Sequence, residues 1–285
     1  MRYGVTMFVT DLSIDVVELA RATEDRGLDS LWLPEHTHIP TSRRTPHPSG
    51  DELPEKYKRP IDPLVGLTAA AVATTGLRLG TGILLPAQRE PIVTAKAVAT
   101  VDLLSGGRLS LGVGFGWNEE ELADHGVDFR QRRAVAREHV LAMQALWGDD
   151  EAGFSGEHVE ISPSWSWPKP HQRGADGRPT VPVLVGGAAG PMLFDHAVEY
   201  GDGWMPVGGA GLSTALPELR AALERAGRDP AGFAVVPFAS QPDHGKLDHY
   251  AGLGVSETVF DLPSGPRGQV LPVLDRYAAL VAERR

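Results

Sequence analysis

The chain has 285 residues, of which 42% are hydrophobic and 22% charged, and its formal net charge at pH 7 is −10. This composition is typical of a globular protein with one large core. The acidic balance, without a concentrated basic face, argues against nucleic acid or an anionic membrane as a partner. The absence of cysteine excludes disulfides, thiolate nucleophiles and iron–sulfur ligation. Neither a signal-peptide pattern nor a run of about 18 apolar residues is found, so we expect a cytoplasmic protein.

Short apolar or alternating runs, bounded by turn residues, predict eight strands. They cover residues 3–8, 30–33, 77–85, 109–113, 181–185, 203–207, 233–238 and 258–261. Segments with helical periodicity alternate with them. These cover residues 13–26, 63–75, 91–104, 130–147, 191–200, 213–226, 246–253 and 268–283. The alternation predicts one α/β domain over residues 1–285, a (β/α)8 TIM barrel, which needs roughly 250 residues.

Two segments interrupt this alternation, residues 34–62 after the second strand and residues 149–180 before the fifth. Long loops in compact domains are usually functional, so we expect both at the binding face, with simple solvated loops as the alternative. The second segment contains Trp165 and Trp167. Because surface loops rarely leave two tryptophans unburied, we expect this pair to form a cavity wall or a lid.

Glycine-rich turns follow the fourth and fifth predicted strands, at residues 114–118 and 186–190. Asn118 is placed to cap a short helix. Successive unpaired backbone amides bind anions, and two such turns on neighbouring strands favour a phosphate site, although glycine clusters also occur wherever a strand turns sharply. The predicted ligand contacts are Gly114, Phe115, Gly116, Trp117, Asn118, Gly186, Gly187 and Ala188. Neither turn has the spacing of the dinucleotide-binding fingerprint.

The exits of the second and third strands contain further candidates. His36 is the best candidate for proton transfer, because imidazole titrates near neutral pH, although a structural histidine is the alternative. His36 and His38 form a His-x-His pair of the kind that binds a hydrolytic metal in some barrels. Such a site needs further ligands, for which Asp261 is a candidate, but no histidine follows strands five or six. We therefore predict no metal. A backbone distortion at Gly82 and Ile83 would place the apolar Ile83 side chain behind the planar ring of a ligand. The alternative is that this segment is ordinary barrel core.

Taken together, these stretches resemble one family. GTGILLP in the third strand, the following REPIVTAKAVATVDLLSGGRLSLGVGFGWNEEE, and VPVLVGGAAGP before DGWMP resemble the luciferase-like monooxygenase superfamily. More narrowly, they resemble its actinobacterial branch that uses the 8-hydroxy-5-deazaflavin coenzyme F420. The resemblance extends from Met1 to about Asp261. It implies a TIM barrel, usually homodimeric, with the coenzyme ring at the strand carboxyl ends, its phosphate at residues 114–118 and 186–188, and a cis peptide bond between Gly82 and Ile83.

The resemblance also implies individual roles. His36 matches the histidine near the reactive carbon in the deazaflavin-dependent sugar dehydrogenases of this superfamily. Glu35, which precedes it, is expected to contact the coenzyme. Two positions depart from that pattern, because Phe115 stands in place of a glutamate and Pro40 in place of a tryptophan. Sugar-phosphate chemistry is therefore not expected, and the substrate pocket should be more apolar. Its expected residues are His38, Phe115, Trp165 and Trp167.

These features predict an F420-dependent oxidoreductase that transfers a hydride to or from a small, fairly apolar organic substrate, with the protein orienting the reactants and excluding water. The first alternative keeps the fold but uses reduced FMN and dioxygen, as a monooxygenase. A metal-dependent hydrolase using His36 and His38, and a coenzyme-binding protein without turnover, are the others. Arg43 and Arg44 are candidates to contact an anionic oligoglutamyl tail of the coenzyme, although paired loop arginines are more often solvated.

Overall fold

The computed structural model describes residues 1–50 and 52–285. Its strands and α-helices, in chain order, are β1 (Arg2–Thr6), α1 (Val16–Asp25), β2 (Ser30–Leu33), α2 (Pro63–Ala73), β3 (Arg78–Leu84), α3 (Pro91–Ser105), β4 (Leu109–Val113), α4 (Glu119–Asp124), α5 (Arg132–Gly148), β5 (Ala152–Ser155), β6 (Glu160–Ser164), β7 (Val183–Gly186), α6 (Pro191–Tyr200), β8 (Gly203–Met205), α7 (Leu212–Arg225), β9 (Ala234–Val235), α8 (His244–Leu253), β10 (Glu257–Asp261) and α9 (Arg267–Ala282). Short 3-10 helices cover Glu55–Lys58, Pro86–Gln88 and Pro230–Gly232.

Eight of these strands form one parallel sheet, in the order β10-β1-β2-β3-β4-β7-β8-β9. A parallel bridge between Ser240 and Phe260, with a 2.9 Å hydrogen bond from Ser240 N–H to the Val259 carbonyl, joins the segment after β9 to β10. These contacts close the sheet into a barrel. The predicted α/β TIM barrel is therefore confirmed.

The helix starts show why the elements begin where they do. The Asp62 carboxylate accepts hydrogen bonds from two N–H groups in the first turn of α2, and Glu90 does the same for α3. Pro63 and Pro91 occupy the first helical positions, where the missing N–H costs nothing. These caps fix where the loops after β2 and β3 end, and therefore the length of each loop at the carboxyl end of the barrel.

The barrel strands are buried on both sides, as expected of a parallel sheet covered by helices. Leu31 of β2, Leu111 of β4 and Val183 of β7 are all fully inaccessible to solvent. Side chains therefore fill the interior, and space for a ligand remains only at an end of the barrel. Within the described ranges, no helix combines the length and apolar character needed to cross a lipid bilayer.

The second insertion does not lie at the binding face, so that expectation was wrong. It begins with the antiparallel hairpin β5–β6, whose turn is held by Glu138 of α5 through the N–H groups of residues 157–159. Further on, the Gln172 side chain donates a 2.7 Å hydrogen bond to the carbonyl of Leu109, where β4 starts. The physical reason is topological: the segment connects the end of α5 to the start of β7, and such connections lie at the amino-terminal end of the barrel, opposite the ligand face.

Trp165 and Trp167 share this placement, which corrects their predicted role as a cavity wall or lid. Their exposed fractions are 77% and 58%. The Trp167 carbonyl accepts a hydrogen bond from Lys96 of α3, and the Lys169 ammonium lies 5.2 Å from the Trp167 ring centroid. Neither tryptophan lines the cavity at the carboxyl ends of the barrel strands.

Candidate active site

A cavity of about 470 Å³ opens at the carboxyl ends of the barrel strands. Residues at or just beyond the ends of all eight barrel strands contribute to its lining. Of the residues predicted from the sequence, it is lined by Glu35, His36, Gly82, Ile83, Phe115, Gly116, Trp117, Gly186 and Gly187. The parallel topology thus brings together residues up to 152 positions apart in the chain, from Glu35 to Gly187.

Three predicted ligand contacts, Gly114, Asn118 and Ala188, border this lining without belonging to it. The Gly114 N–H donates a 2.9 Å hydrogen bond to the carbonyl of Leu84, and the Asn118 side chain caps α4. The Gly187 N–H likewise bonds to a carbonyl of β8, at 3.3 Å. Fewer amides are open than the glycine spacing suggests, because the strand ladder continues into both turns.

Ile83 forms an apolar shelf in the cavity. The register of β3 shifts between Thr81 and Leu84, and the Gly82–Ile83 peptide bond is cis, which confirms the geometry that the resemblance implies. A Cβ atom on Gly114 would lie 1.8 Å from Ile83 Cδ1, and one on Gly186 would lie 3.0 Å from Ile83 Cγ2. Glycine at these two positions therefore makes the room that the Ile83 side chain occupies.

His36 is held by two partners. Its Nδ1 atom lies 2.8 Å from Oε2 of Glu121, and the other oxygen of Glu121 accepts a 3.1 Å hydrogen bond from the Thr37 N–H. The indole N–H of Trp117 points at His36 Nε2 from 3.3 Å. Because a carboxylate accepts and an indole donates, the partners assign the proton to Nδ1 and leave Nε2 as an acceptor. This is the form in which a neutral imidazole accepts a further proton.

Aromatic rings enclose this histidine. The Tyr57 and Trp117 ring centroids lie 5.4 and 5.7 Å from that of His36. Tyr57 belongs to the first insertion, which lies at the ligand face as expected. Burial raises the pKa of Tyr57, and the negative charge of Asp261 raises it further. Tyr57 is thus a neutral hydroxyl donor in the cavity.

Tyr57 and Glu121 were not predicted as site residues from the sequence. Tyr57 had no local signal within a polar loop. Glu121 lies three residues after the capping residue Asn118, a spacing that ordinarily predicts a capping box in which the glutamate turns back to the backbone. In the structure its carboxylate instead points to His36, so the spacing marks the residue but predicts the wrong partner.

His38 does not line the cavity, which corrects its predicted place in the substrate pocket. Its Nε2 atom lies 2.9 Å from Asp124, and its Nδ1 lies 3.0 Å from the Thr37 hydroxyl. The side chain of His38 faces α4, on the outer side of the loop that follows β2. Over residues 1–50 and 52–285, no group of three or more His, Asp or Glu side chains is arranged to hold a metal ion.

Glu35 lines the cavity, but its carboxylate is hydrogen-bonded to other residues of the protein. It accepts 2.6 Å hydrogen bonds from the Leu85 N–H and from Arg89 Nε. Burial raises the pKa of Glu35, and the positive charge of Arg89 opposes that rise. Arg89 also reaches Asp62 at 2.5 Å. Glu35 therefore braces the exit of β3 against the start of α2, instead of presenting free oxygens to a ligand.

Residues 13–241 match the family model described as luciferase-like monooxygenase, and the chain belongs to this family. It is an oxidoreductase. The chain is 41% identical to an uncharacterised protein of Mycobacterium tuberculosis over 99% of both chains. It is 32% identical to an F420-dependent glucose-6-phosphate dehydrogenase of Amycolatopsis mediterranei, over 74% of this chain and 58% of the relative. An F420-dependent secondary alcohol dehydrogenase, solved with an F420-acetone adduct, has the same fold with a TM-score of 0.75, 19% identity and full coverage of both chains.

Proposed function

We propose that this enzyme transfers a hydride between the deazaflavin coenzyme F420 and a small, fairly apolar organic substrate. The observation that carries the proposal is the pairing of the Ile83 shelf with His36 in one cavity, with His36 Nε2 kept as a proton acceptor. A planar redox ring needs an apolar surface, and its substrate needs a group that exchanges a proton beside it. Similarity to relatives named as F420-dependent supports the choice of coenzyme.

The residues present fit such a ring. Gly82, Gly116, Gly186 and Gly187 line the same cavity as Ile83, so no side chain from these positions fills it. A Cβ on Gly82 would lie 2.3 Å from the Phe238 ring, which closes the cavity behind the shelf. When bound, F420 would accept a hydride from an alcohol substrate or donate one to a carbonyl substrate.

The chain's own part is to orient the substrate and move one proton. In alcohol oxidation, the substrate hydroxyl gives its proton to His36 Nε2 as the carbon–hydrogen bond is lost, and the reverse reaction returns it. Glu121 then faces an imidazolium and stabilises its charge. For Nε2 to accept that proton, the Trp117 N–H must give up its long 3.3 Å contact. We infer that the substrate hydroxyl replaces Trp117 as the donor to Nε2.

The lining favours an apolar substrate. Phe8, Phe115 and Phe238 contribute rings to the cavity, and Met205 and Val207 add aliphatic surface. Phe115 is largely buried and stands where a catalytic acid of the sugar dehydrogenases is expected. Small secondary alcohols and ketones suit such walls better than sugar phosphates do, because unpaired sugar hydroxyls would be costly to bury there.

The alternative is an FMN-dependent monooxygenase, which the family description itself favours. Titration of the purified protein with F420 and with FMN, followed by intrinsic fluorescence, separates the two. We expect F420 to bind at least about tenfold more tightly, a difference of about 1.4 kcal/mol. We also expect F420-dependent turnover of secondary alcohols under anaerobic conditions. Preference for reduced FMN, with substrate-dependent oxygen uptake, would establish the monooxygenase instead.

We also propose that the enzyme is a homodimer, joined through α2 and α3. Helix α2 contains no charged residue, and a helix that is apolar on all sides is usually buried on all sides. Several of its apolar residues and those of α3 are nevertheless between 45% and 71% exposed. They are Val65, Val72, Ile92, Val93, Leu103 and Leu104. A second copy of the chain is the partner proposed to cover them.

A further inference from the structure

Two adjacent arginines at the start of α5, Arg132 and Arg133, line the cavity without a matching acid. Among the described residues, neither guanidinium is part of an ion pair. Nε of Arg132 and Nη1 of Arg133 are buried and have no hydrogen-bond partner there. Buried N–H groups are rarely left unpaired in a folded protein, because desolvation without a replacement bond is costly. These atoms therefore point to a ligand that accepts hydrogen bonds.

The two guanidinium groups are held in place by aromatic rings. Arg132 lies 3.7 Å from the Phe129 ring centroid and donates a 2.6 Å hydrogen bond to the Phe129 carbonyl. Arg133 lies 4.3 Å from the ring centroid of Phe115, itself a cavity residue. Stacking of this kind fixes the plane of a guanidinium and leaves its edge free for a ligand. The pair is thus preorganised.

The surroundings of the two arginines add positive potential and contain little negative charge to offset it. Burial lowers the pKa of Arg132, and the neighbouring Arg133 charge lowers it further. The Glu119 carboxylate acts in the opposite direction, but it is exposed and makes no ion pair with Arg132. The side chain of Gln131 does not cap α5, a helix of 17 residues, so the positive end of its dipole is at the same place.

The cavity is also polarised across the barrel. Asp261, at the end of β10, lines the cavity, and in the strand order β10 and β4 are four strands apart in a ring of eight. The arginines follow β4, so the acid and the two cations belong to opposite sides of the barrel. Lys56 also lines the cavity and partly offsets the charge of Asp261, whereas the two arginines have no ion-pair partner among the described residues, so an anionic group is favoured on the arginine side.

We propose that Arg132 and Arg133 form an anion subsite that binds the phosphoryl group of the coenzyme side chain. The inference rests on the proposed function, since it assumes that a phosphorylated redox coenzyme occupies the cavity. It also replaces part of the backbone site predicted from the glycine turns, because the Gly114 and Gly187 N–H groups are already bonded within the barrel. Planar guanidinium groups match phosphate oxygens well, and such charge-assisted hydrogen bonds are about twice as strong as neutral ones. An acidic group on the substrate is the other possible source of the anion.

The test compares two ligands that differ only in the phosphate, 8-hydroxy-5-deazariboflavin and its 5′-phosphate, by fluorescence titration of the full chain. We expect the wild type to bind the phosphate at least about 100-fold more tightly. Arg132→Gln and Arg133→Gln should each weaken binding of the phosphate at least about tenfold and leave binding of the unphosphorylated ligand within about twofold. Arg225→Gln, at an exposed position in the last turn of α7, is the matched control and should change neither.

The outcomes separate the two levels of inference. Equal binding of both ligands, or arginine variants that weaken both equally, overturns the subsite while the proposed function stands. If the wild type binds neither these ligands nor intact F420, the proposed function itself fails. A second titration uses inorganic phosphate with the wild type saturated in the 5′-phosphate. Arginine-dependent binding of inorganic phosphate under that condition would assign the subsite to an acidic substrate and overturn its assignment to the coenzyme. Unchanged binding of the unphosphorylated ligand shows that each variant is folded.

Discussion

At the residue scale, the proposed function depends on how His36 is held. A histidine at a strand end has two ring nitrogens, and its partners decide which one meets the substrate. Glu121 occupies Nδ1, so Nε2 faces the cavity with only the long Trp117 contact to displace. Glu121 and Trp117 both come from the segment after β4. They supply the carboxylate and the indole that contact His36, whereas the neighbouring Glu35 carboxylate is bonded to Leu85 and Arg89.

We predict that His36→Ala lowers turnover of secondary alcohols about 10²- to 10⁴-fold, the usual effect of removing a general base, with coenzyme affinity within a few-fold. Glu121→Gln should lower it about 10- to 100-fold, and the double variant should be no slower than His36→Ala alone, because Glu121 acts through the histidine. Steady-state kinetics and coenzyme titration check both. Asp124→Asn, which alters the outward-facing His38 pair, is the control. Unchanged turnover in His36→Ala would remove its proton-transfer role.

At the element scale, the short helix α4 connects the first insertion to the site. Its capping residue is Asn118, and Glu120 in its first turn holds the insertion by accepting hydrogen bonds from the Arg44 N–H and from Thr45. Arg44 is thereby drawn to Glu120, while the Arg43 guanidinium lies 6.0 Å from the Trp117 ring centroid. The loop that contributes Tyr57 to the cavity is therefore anchored to the same helix that orients His36.

Glu120 gives this anchor a defined pH dependence. Burial raises the pKa of Glu120, but hydrogen bonds from the Thr45 hydroxyl and from backbone N–H groups outweigh that effect and lower it from 4.5 to about 2. A lowered carboxylate pKa stabilises the folded state above the unfolded value and loses that contribution as pH falls towards the folded value. The stabilisation by Glu120 should therefore be complete above about pH 4.5 and fade towards pH 2.

We predict that Glu120→Gln lowers the free energy of unfolding at pH 7 by about 1 to 2 kcal/mol, because several donors lose a charged acceptor. The difference from the wild type should shrink as the pH falls below about 4.5. Urea unfolding across this pH range provides the measurement. Glu119→Gln, an exposed neighbour in the same helical turn, controls for the helix dipole. Identical stabilities of the two variants at pH 7 would show that Glu120 does not anchor the loop.

The elements also show what the sequence could predict. The barrel strands and their helices were predictable, since each combines periodicity with its own turn or cap chemistry. The second insertion was misplaced because its tryptophans suggested a cavity, whereas its position before a strand, not after one, already assigns it to the opposite end of the barrel. The partners of His36 were not predictable, because Glu121 is 85 residues away and meets it only in the closed barrel.

At the scale of the whole molecule, barrel closure converts eight separate strand ends into one site. Local patterns identified nine of the 22 residues that line the cavity, and these nine come together because βα loops of a parallel barrel all converge on one end. They did not identify the arginine pair, which lies at the start of a helix beyond α4 and carries no motif. Its significance depends on unpaired atoms, which only the packed structure reveals.

We predict that the chain sediments as a dimer, with twice the mass of the 30.5 kDa chain, at micromolar concentration. Val65→Glu combined with Val93→Glu should shift it to a monomer, because charges on both exposed helix faces cannot be buried unpaired at an interface. Analytical ultracentrifugation provides the measurement. Leu12→Glu, at an exposed apolar position outside α2 and α3, should leave the dimer intact. A monomeric wild type would contradict the proposed interface.

The central claim, that this cavity holds a deazaflavin ring beside a proton-transferring histidine, is tested most directly by a crystal structure with F420 bound. We expect ring density against Ile83, with the reactive carbon close enough for a substrate hydroxyl to reach both that carbon and Nε2 of His36. We also expect phosphate density at Arg132 and Arg133. An empty cavity at saturating coenzyme, or a ring bound elsewhere on the molecule, would contradict the central claim.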